Sequence, residues 1–412
     1  MGDISGETYP ALRLRSGREY SVLTGHPWLF SGAFANLPAD IPAGAVVDVV
    51  SSQGQWVARG HLNARNSLAF RVLTLNQDER IDDAFYVRRI ERALKLRRLL
   101  PEDITAYRLV HAEADYLPGL IVDRYDRWLV AQFHTAGVER QRAEITAALQ
   151  QVLAPEGMLA RDDIRVRERE GLAAGEASLL AGSMPETIEV SEGAVRYLVD
   201  PWHGQKTGFF LDQRDKRATI GELARRATSL LNCFSYSGGF ALADLVHNPS
   251  LRTVNVDAST AALELAKRNY ALNGHEIGAA GEAGETDQHQ FVVGDVNRYL
   301  QSAAQAGKTF DVVILDPPAF AKNLGMKERA LRGYETLNTH GARVVAPDGL
   351  LLTCSCSGGV DLAEFENAVR QGLRIAHRSA QLIASFGPSL DHPSLPGFPE
   401  DRYLKALLFR LD

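Results

Sequence analysis

The sequence predicts an α/β protein whose C-terminal part, residues 196–412, is a doubly wound domain built on a parallel sheet. Three observations lead there. Short apolar runs (LLNCF, TVNVD, FVVGD, FDVVILD, LLLTCS) alternate with helical stretches such as STAALELAKRNYALNG and Tyr334–Val345, the rhythm of strands covered by helices on both faces. Residues 1–76 instead hold short β-rich runs between Gly, Pro and Asn turns, which predicts a small β-barrel. Residues 77–195 mix helical and strand patterns and read as an α+β linking domain.

In the barrel, VLTGHPWLFSGAF, GAVVDVVSSQGQWVARGHLN and SLAFRVLTL are expected strands, with a hairpin from Val46–Val50 to Trp56–Arg59. In the linking domain, RLVHAEADYLPGLIVDRYDRWLVAQFH reads as two strands joined at Asp123–Arg127. A helix follows around Glu139–Leu153, then irregular strands near Glu168–Leu180 and Glu186–Val199. The stretch Gly278–Gly284 reads as a surface loop. There are no internal repeats.

A chain of 412 residues exceeds what one hydrophobic core usually serves. With 45% hydrophobic and 23% charged residues it has an ordinary globular composition. No apolar run approaches the roughly 18 residues of a membrane span. The N-terminus lacks the charged-then-apolar order of a secretory leader, and Gly2 has no membrane context that would support acylation. Three cysteines, Cys233, Cys354 and Cys356, imply a reducing, cytoplasmic compartment without a disulfide framework. They are too few for structural zinc, and no metal is expected.

The net charge of −6 argues at first against a nucleic-acid partner, but a local basic face is what binds phosphate. The segment Tyr86–Leu100 carries Arg88, Arg89, Arg92, Lys95, Arg97 and Arg98 against the single acid Glu91. Val87, Ile90, Ala93 and Leu94 recur at helical spacing. The segment is an amphipathic helix, and its basic side reads either as a solvated face or as a phosphate-binding one.

Open α/β sheets bind ligands at the carboxyl ends of their strands. After the first strand comes Ser235–Tyr236–Ser237–Gly238–Gly239–Phe240, where two glycines permit either a tight turn or close approach of a ligand. This is not the GxGxxG pyrophosphate fingerprint, which disfavours a nicotinamide dehydrogenase. The second strand ends in Asp257, placed to hold ribose hydroxyls or to cap the next helix, a role Ser259 could also take. Asp295 ends the third strand, with an adenine amino group or a helix cap as alternatives. The fourth runs into Asp316–Pro317–Pro318–Ala319–Phe320. Paired prolines stiffen this loop, which presents Asp316 at the sheet edge and leaves Phe320 available to stack on a base. The fifth delivers Cys354–Ser355–Cys356–Ser357–Gly358–Gly359, where a thiol is placed to be a nucleophile, although one of the pair could be a small buried hydrophobe.

NCFSYSGGF, VNVDAS, VGDV, LDPPAF and TCSCSG, together with GQKTGFFLDQRDKR upstream, resemble the bacterial ribosomal large-subunit RNA cytosine-5 methyltransferases. The resemblance covers nearly the whole chain. It implies a PUA-type RNA-binding domain, a linking domain and a Rossmann-like class I domain that uses S-adenosylmethionine. It places Gln213 and Arg214 at the cofactor, with Lys206 and Phe210 nearby. Phe234, Ser235 and Gly238 would surround the methionine end, Asp257 the ribose, Asp295 the adenine and Pro317 the cofactor side of the DPP loop. Asp316 would contact the target base and also line the cofactor site, Cys356 would be the nucleophile and Cys354 secondary. Many related RNA cytosine-5 enzymes carry a second cysteine in the strand-four motif; DPPAF has none, which leaves the base for the carbon-5 proton unassigned. The implied substrate is a cytosine of 23S RNA, free or in a large-subunit assembly intermediate. Arg88, Arg89, Arg92, Lys95 and Phe320 would contact RNA. Guanine methylation, or an inactive RNA-binding relative, are the rival readings. A homodimer is compatible with the sequence, which does not set the oligomeric state.

Overall fold

A computed structural model describes residues 9–277, 288–320 and 324–412. The expected loop at Gly278–Gly284 and the residue Gly2 lie outside the described residues. The chain falls into two compact units. One comprises the chain up to Ile188 with Val199–Phe209 and Leu390–Asp401; the other comprises Glu189–Leu198, Phe210–Ser389 and Arg402–Asp412.

The first unit holds two five-stranded sheets. In the N-terminal sheet the spatial order is Ala11–Arg13, Ala45–Val50, Trp56–Leu62, Leu68–Thr74, Trp28–Phe30. A bridge between Leu14 and Phe34 joins its two edges, and Leu12, Leu14, Phe34, Val47, Val49 and Phe70 fill the interior. This is the closed small barrel expected, with the hairpin in place at Val50 opposite Trp56. The run VLTGHPWLF departs from expectation, because Tyr20–Leu23 is a helical turn before the strand at Trp28.

The second sheet runs Ala177–Gly182, Gly157–Arg161, Trp128–Phe133, Leu120–Tyr125, Ala106–His111. The expected pair of strands is therefore three, with the tight turn at Asp126–Arg127. The expected helix at Glu139–Leu153 is two, Ala136–Arg140 and Arg142–Leu153. Near Glu168 the chain forms a helical turn, Val166–Arg169, instead of a strand. The basic helix spans Asp83–Arg97, begun by the Asp82 carboxylate accepting from the Phe85 amide at 2.9 Å. Phe85, Tyr86, Ile90 and Ala93 form its buried stripe.

The second unit is built on a seven-stranded sheet: β1 (Ser229–Cys233), β2 (Arg252–Asp257), β3 (His289–Val293), β4 (Phe310–Leu315), β5 (Val345–Ser355), β6 (Ala380–Phe386) and β7 (Lys405–Leu411). Its order is β3-β2-β1-β4-β5-β7-β6. The first five are parallel, as the alternation predicts. β7 is antiparallel to both its neighbours, a feature the βαβ rhythm does not announce. The helices are α1 (Arg214–Leu223), α2 (Gly239–His247), α3 (Thr260–Leu272), α4 (Val296–Gln305), α5 (Lys327–Arg343) and α6 (Leu362–Ile375).

Side chains alternate across each strand, so one face carries Leu231, Cys233, Val256, Val313 and Leu315 under α4, α5 and α6. The other face carries Asn232, Thr253 and Asn255. There the Asn232 amide donates to the Asn255 carbonyl oxygen at 3.0 Å, and the Tyr270 hydroxyl on α3 accepts from Asn255 at 2.9 Å. Helices thus cover both faces, and the crossover between β1 and β4 opens the carboxyl edge where the candidate residues gather.

Candidate active site

The loop after β1 is held in an unusual backbone. Phe234 (φ 57°), Tyr236 (φ 44°) and Gly238 (φ 79°) all lie in the left-handed region. Such conformations cost roughly 1–3 kcal/mol each at non-glycine residues and persist only where the surroundings enforce them. Here the Ser235 amide donates to the Val256 carbonyl at 3.1 Å, and the Tyr236 amide to Asp257 Oδ2 at 2.9 Å. Gly238 has a second reason to be glycine: a Cβ there would stand 3.1 Å from the Tyr270 ring and 3.3 Å from Ala266 Cβ.

Asp257 Oδ1 accepts from the Ser259 amide at 2.8 Å, and Ser259 itself caps α3. The capping alternative therefore belongs to Ser259. Each Asp257 oxygen accepts one backbone amide, and a carboxylate oxygen has a second acceptor site to offer. At Asp295 the capping alternative is realised: Oδ1 accepts from the Arg298 amide at 2.9 Å, and the residue is exposed.

Across the switch point, Asp316 Oδ1 accepts from Gln213 Nε2 at 2.9 Å. Gln213 lies in the turn Leu211–Gln213 that enters α1. Arg214 is buried, 3.7 Å from Glu192, which also takes Arg217 in two contacts of 2.8 and 2.5 Å. Phe210 meets the Tyr236 ring edge-on at 5.2 Å. The Pro317 carbonyl is 3.8 Å from Cys356 Sγ and accepts from its thiol.

The two thiols of the TCSCSG run differ sharply. Cys354 is fully buried, and burial pushes its thiol well above the usual cysteine range; Asp316 adds to this, while Lys216 and Gln213 oppose it. Cys356, one residue past the end of β5, is half-buried. No disulfide joins either to Cys233. Among the described residues no cluster of metal-ligating side chains occurs, and no helix is long and apolar enough to cross a membrane.

Two expectations need correction. Phe320 does not stand free at the DPP loop: its ring lies on Tyr334 at 4.8 Å, because the aromatic pair seals the apolar core under α5. The basic helix is amphipathic as expected, but two of its cations serve the fold. Arg89 donates to Glu79 at 2.9 Å and to the Leu73 carbonyl at 3.0 Å, and burial draws its guanidinium below its ordinary value. Arg97 is buried in a two-pronged contact with Asp115, 2.7 Å on each arm. Arg88, Arg92 and Lys95 remain exposed.

Comparison with known proteins now bears on this geometry. Residues 12–75 match a PUA-like domain, and residues 114–410 match the S-adenosylmethionine-dependent methyltransferases. The chain belongs to the S-adenosylmethionine-dependent methyltransferase family. It is 38% identical over 402 residues to the ribosomal RNA large subunit methyltransferase I of Erwinia tasmaniensis, covering 97% of this chain and 99% of that one. The protein of that name from Klebsiella pneumoniae strain 342 is 37% identical over 406 residues, 98% of each chain. A solved Streptococcus mutans protein, described as a candidate SAM-dependent methyltransferase, shares the fold with a TM-score of 0.82 at 21% identity, over 97% of this chain and 100% of that one.

The methyltransferase's own residues suit that cofactor. Gln213 Oε1 and Ser235 Oγ are buried polar atoms with no hydrogen-bond partner, and such groups call for a polar ligand. Asp257 adds acceptors of the kind that hold vicinal hydroxyls.

Other groups escaped the sequence reading. Tyr334 accepts from Ser355 Oγ at 2.9 Å and shares a 2.8 Å bond with Ser357 Oγ. Buried Lys216 donates to the Asp212 and Gly387 carbonyls at 2.7 Å each. Lys405 donates to the carbonyls of Ser357 and Val360, also at 2.7 Å each. The one available signal was a lysine directly before the apolar run ALLF, Ala406–Phe409.

Proposed function

We propose that the protein methylates carbon 5 of a cytosine in 23S ribosomal RNA through a covalent adduct between Cys356 and carbon 6. The observation that carries this reading is a half-buried thiol at the end of β5, in contact with the Asp-Pro-Pro loop at 3.8 Å. The RNA class follows from the names borne by relatives that match this chain end to end.

Carbon 5 of cytosine is a weak nucleophile. Attack of the Cys356 thiolate on carbon 6 breaks the 5,6 double bond and places electron density on carbon 5. Asp316, oriented by Gln213, is the acid that supports charge developing on the ring. S-adenosylmethionine supplies an electrophilic methyl group. Loss of the carbon-5 proton to a base then expels the thiolate and restores the aromatic ring. Cys354 is unsuited to attack because its burial favours the neutral thiol.

In this reading Gln213, Arg214, Phe234, Ser235, Gly238, Asp257, Asp295 and Pro317 surround the cofactor. Residues 1–76 and 77–195 hold RNA, with Arg88, Arg92 and Lys95 as phosphate contacts. The target base must leave its stack to reach the thiol. The deciding experiment maps 5-methylcytosine in 23S RNA from cells lacking this protein, with Cys356→Ala assayed in vitro using labelled cofactor. The expected result is one missing modification and no transfer by the variant. Recovery of a methylguanine instead, or full activity in Cys356→Ala, would overturn the reading.

A further inference from the structure

Lys405 approaches the Cys356 turn from a strand that the expected site does not include. It opens β7 and pairs with Ser355, the last residue of β5. Its two carbonyl acceptors, on Ser357 and Val360, bracket Gly358 and Gly359. The ammonium therefore closes the turn that begins at Cys356. The residue is 5% exposed, and among the described residues no carboxylate forms an ion pair with it. A buried cation held only by neutral carbonyls lacks a counter-charge.

Three groups able to carry negative charge act on it against the effect of burial: the Cys356 sulfur first, then Asp361 and Glu364. Both acids are already engaged in starting α6. Asp361 accepts from the Glu364 amide at 2.8 Å, Glu364 accepts from the Asp361 amide at 3.0 Å, and Glu364 also pairs with Lys327. From α5, Tyr334 faces the same thiol, and from β5 so does Cys354; burial keeps both protonated. That leaves the Cys356 sulfur as the counter-charge that Lys405 lacks. Burial also draws the Lys405 ammonium down to about 8, so it still carries its proton at neutral pH.

We propose that Lys405 is the positioning residue of Cys356, anchoring the turn that bears the thiol and favouring its thiolate form by charge. The inference rests on Cys356 being the nucleophile, but its test does not require methyl transfer.

The test is the pH dependence of Cys356 alkylation by iodoacetamide in the full-length protein, read by peptide mass so that Cys233 and Cys354 are resolved. Lys405→Gln keeps a donor for the turn and removes the charge; Lys405→Met removes both; Lys405→Arg keeps the charge. The expected result is a fall of about tenfold in alkylation rate at pH 7 for the Gln and Met variants, equivalent to one unit in the thiol midpoint. Lys405→Arg should keep the parent midpoint. Should the Met variant not fold, the Gln variant decides. Folded Gln and Met variants with the parent midpoint would overturn the proposal, as would an Arg variant shifted as far as Gln. Methyl transfer by Cys356→Ala is scored separately: activity there removes the nucleophile and leaves the thiol titration to stand on its own.

Discussion

The two sides of the sheet's carboxyl edge are built differently. On the β1–β3 side, carboxylates are fixed by backbone amides: Asp257 by Tyr236 and Ser259, Asp295 by Arg298. On the β4–β5 side, groups are fixed by side chains from distant segments. Asp316 takes its orientation from Gln213, 103 residues away, and the Cys356 turn is tied down by Lys405. Amide contacts survive most substitutions of the residues that supply them, whereas side-chain contacts do not. The first side should tolerate change at the supporting positions; the second should not.

The sharpest test of that contrast is Asp316→Asn. Methyl transfer should fall by about 10²–10⁴, the range for loss of a positioned acid, while calorimetric binding of the cofactor changes far less. Near-normal turnover would move the reacting half of the site elsewhere. Gly238→Ala attacks the other side where it cannot yield, since both the left-handed backbone and the Tyr270 ring oppose a Cβ. It should cost roughly 1–3 kcal/mol in urea unfolding and weaken cofactor binding.

Tyr334→Phe leaves the buried hydroxyls of Ser355 and Ser357 without their shared partner. A loss of about 1–3 kcal/mol is expected in the same unfolding measurement, and an unchanged midpoint would show that the network adds no rigidity. Asp295→Ala removes a cap and should cost about 1 kcal/mol. A weakening of cofactor binding in calorimetry, beyond that loss of stability, would mark Asp295 as a ligand residue as well as a cap.

Titration separates the two sides by pH window. His289 on β3 is drawn by burial from 6.5 to about 4. The unfolded chain therefore binds more protons between these values, and the stabilisation present above pH 6.5 is lost as pH falls towards 4. Lys405 on β7 is drawn from 10.5 to about 8, so its contribution is complete above pH 10.5 and declines as pH falls to 8. Thermal melts across pH should show the acid slope reduced in His289→Gln alone and the alkaline slope reduced in Lys405→Met alone.

The same contrast explains what the sequence discloses. A residue fixed by neighbours in the chain leaves a local signature: Asp257 two residues before Ser259, Asp295 at a helix start, Gly238 after a strand. The five parallel strands show themselves in the same way, as apolar runs at regular intervals. Tyr334 and Lys405 act across the fold, so their roles depend on which strands become neighbours, and no spacing encodes that. β6 gives no such signal, since Ala380–Phe386 is largely exposed and lacks the apolar run that identifies a buried strand; β7 does contain the buried run ALLF, but nothing local tells that it pairs antiparallel between β5 and β6. The basic helix shows the limit from the other direction. Its charge pattern was plain, but only the folded surroundings separate the half-buried Arg89 and buried Arg97, held by Glu79 and Asp115, from Arg88, whose own contact with Glu79 at 3.6 Å leaves it exposed.

The position of β7 also orders events during synthesis. Among the described residues β6 has no sheet neighbour other than β7, although it precedes β7 in the chain. Until Lys405–Leu411 emerges from the ribosome, β5 keeps a bare edge, β6 has nowhere to dock, and the turn after Cys356 has no anchor. A product of premature termination upstream of Lys405 would hold every cysteine and carboxylate of the site, yet would be both aggregation-prone along β5 and chemically unready. Structural completeness and a competent thiol would then arrive together, with the same seven residues.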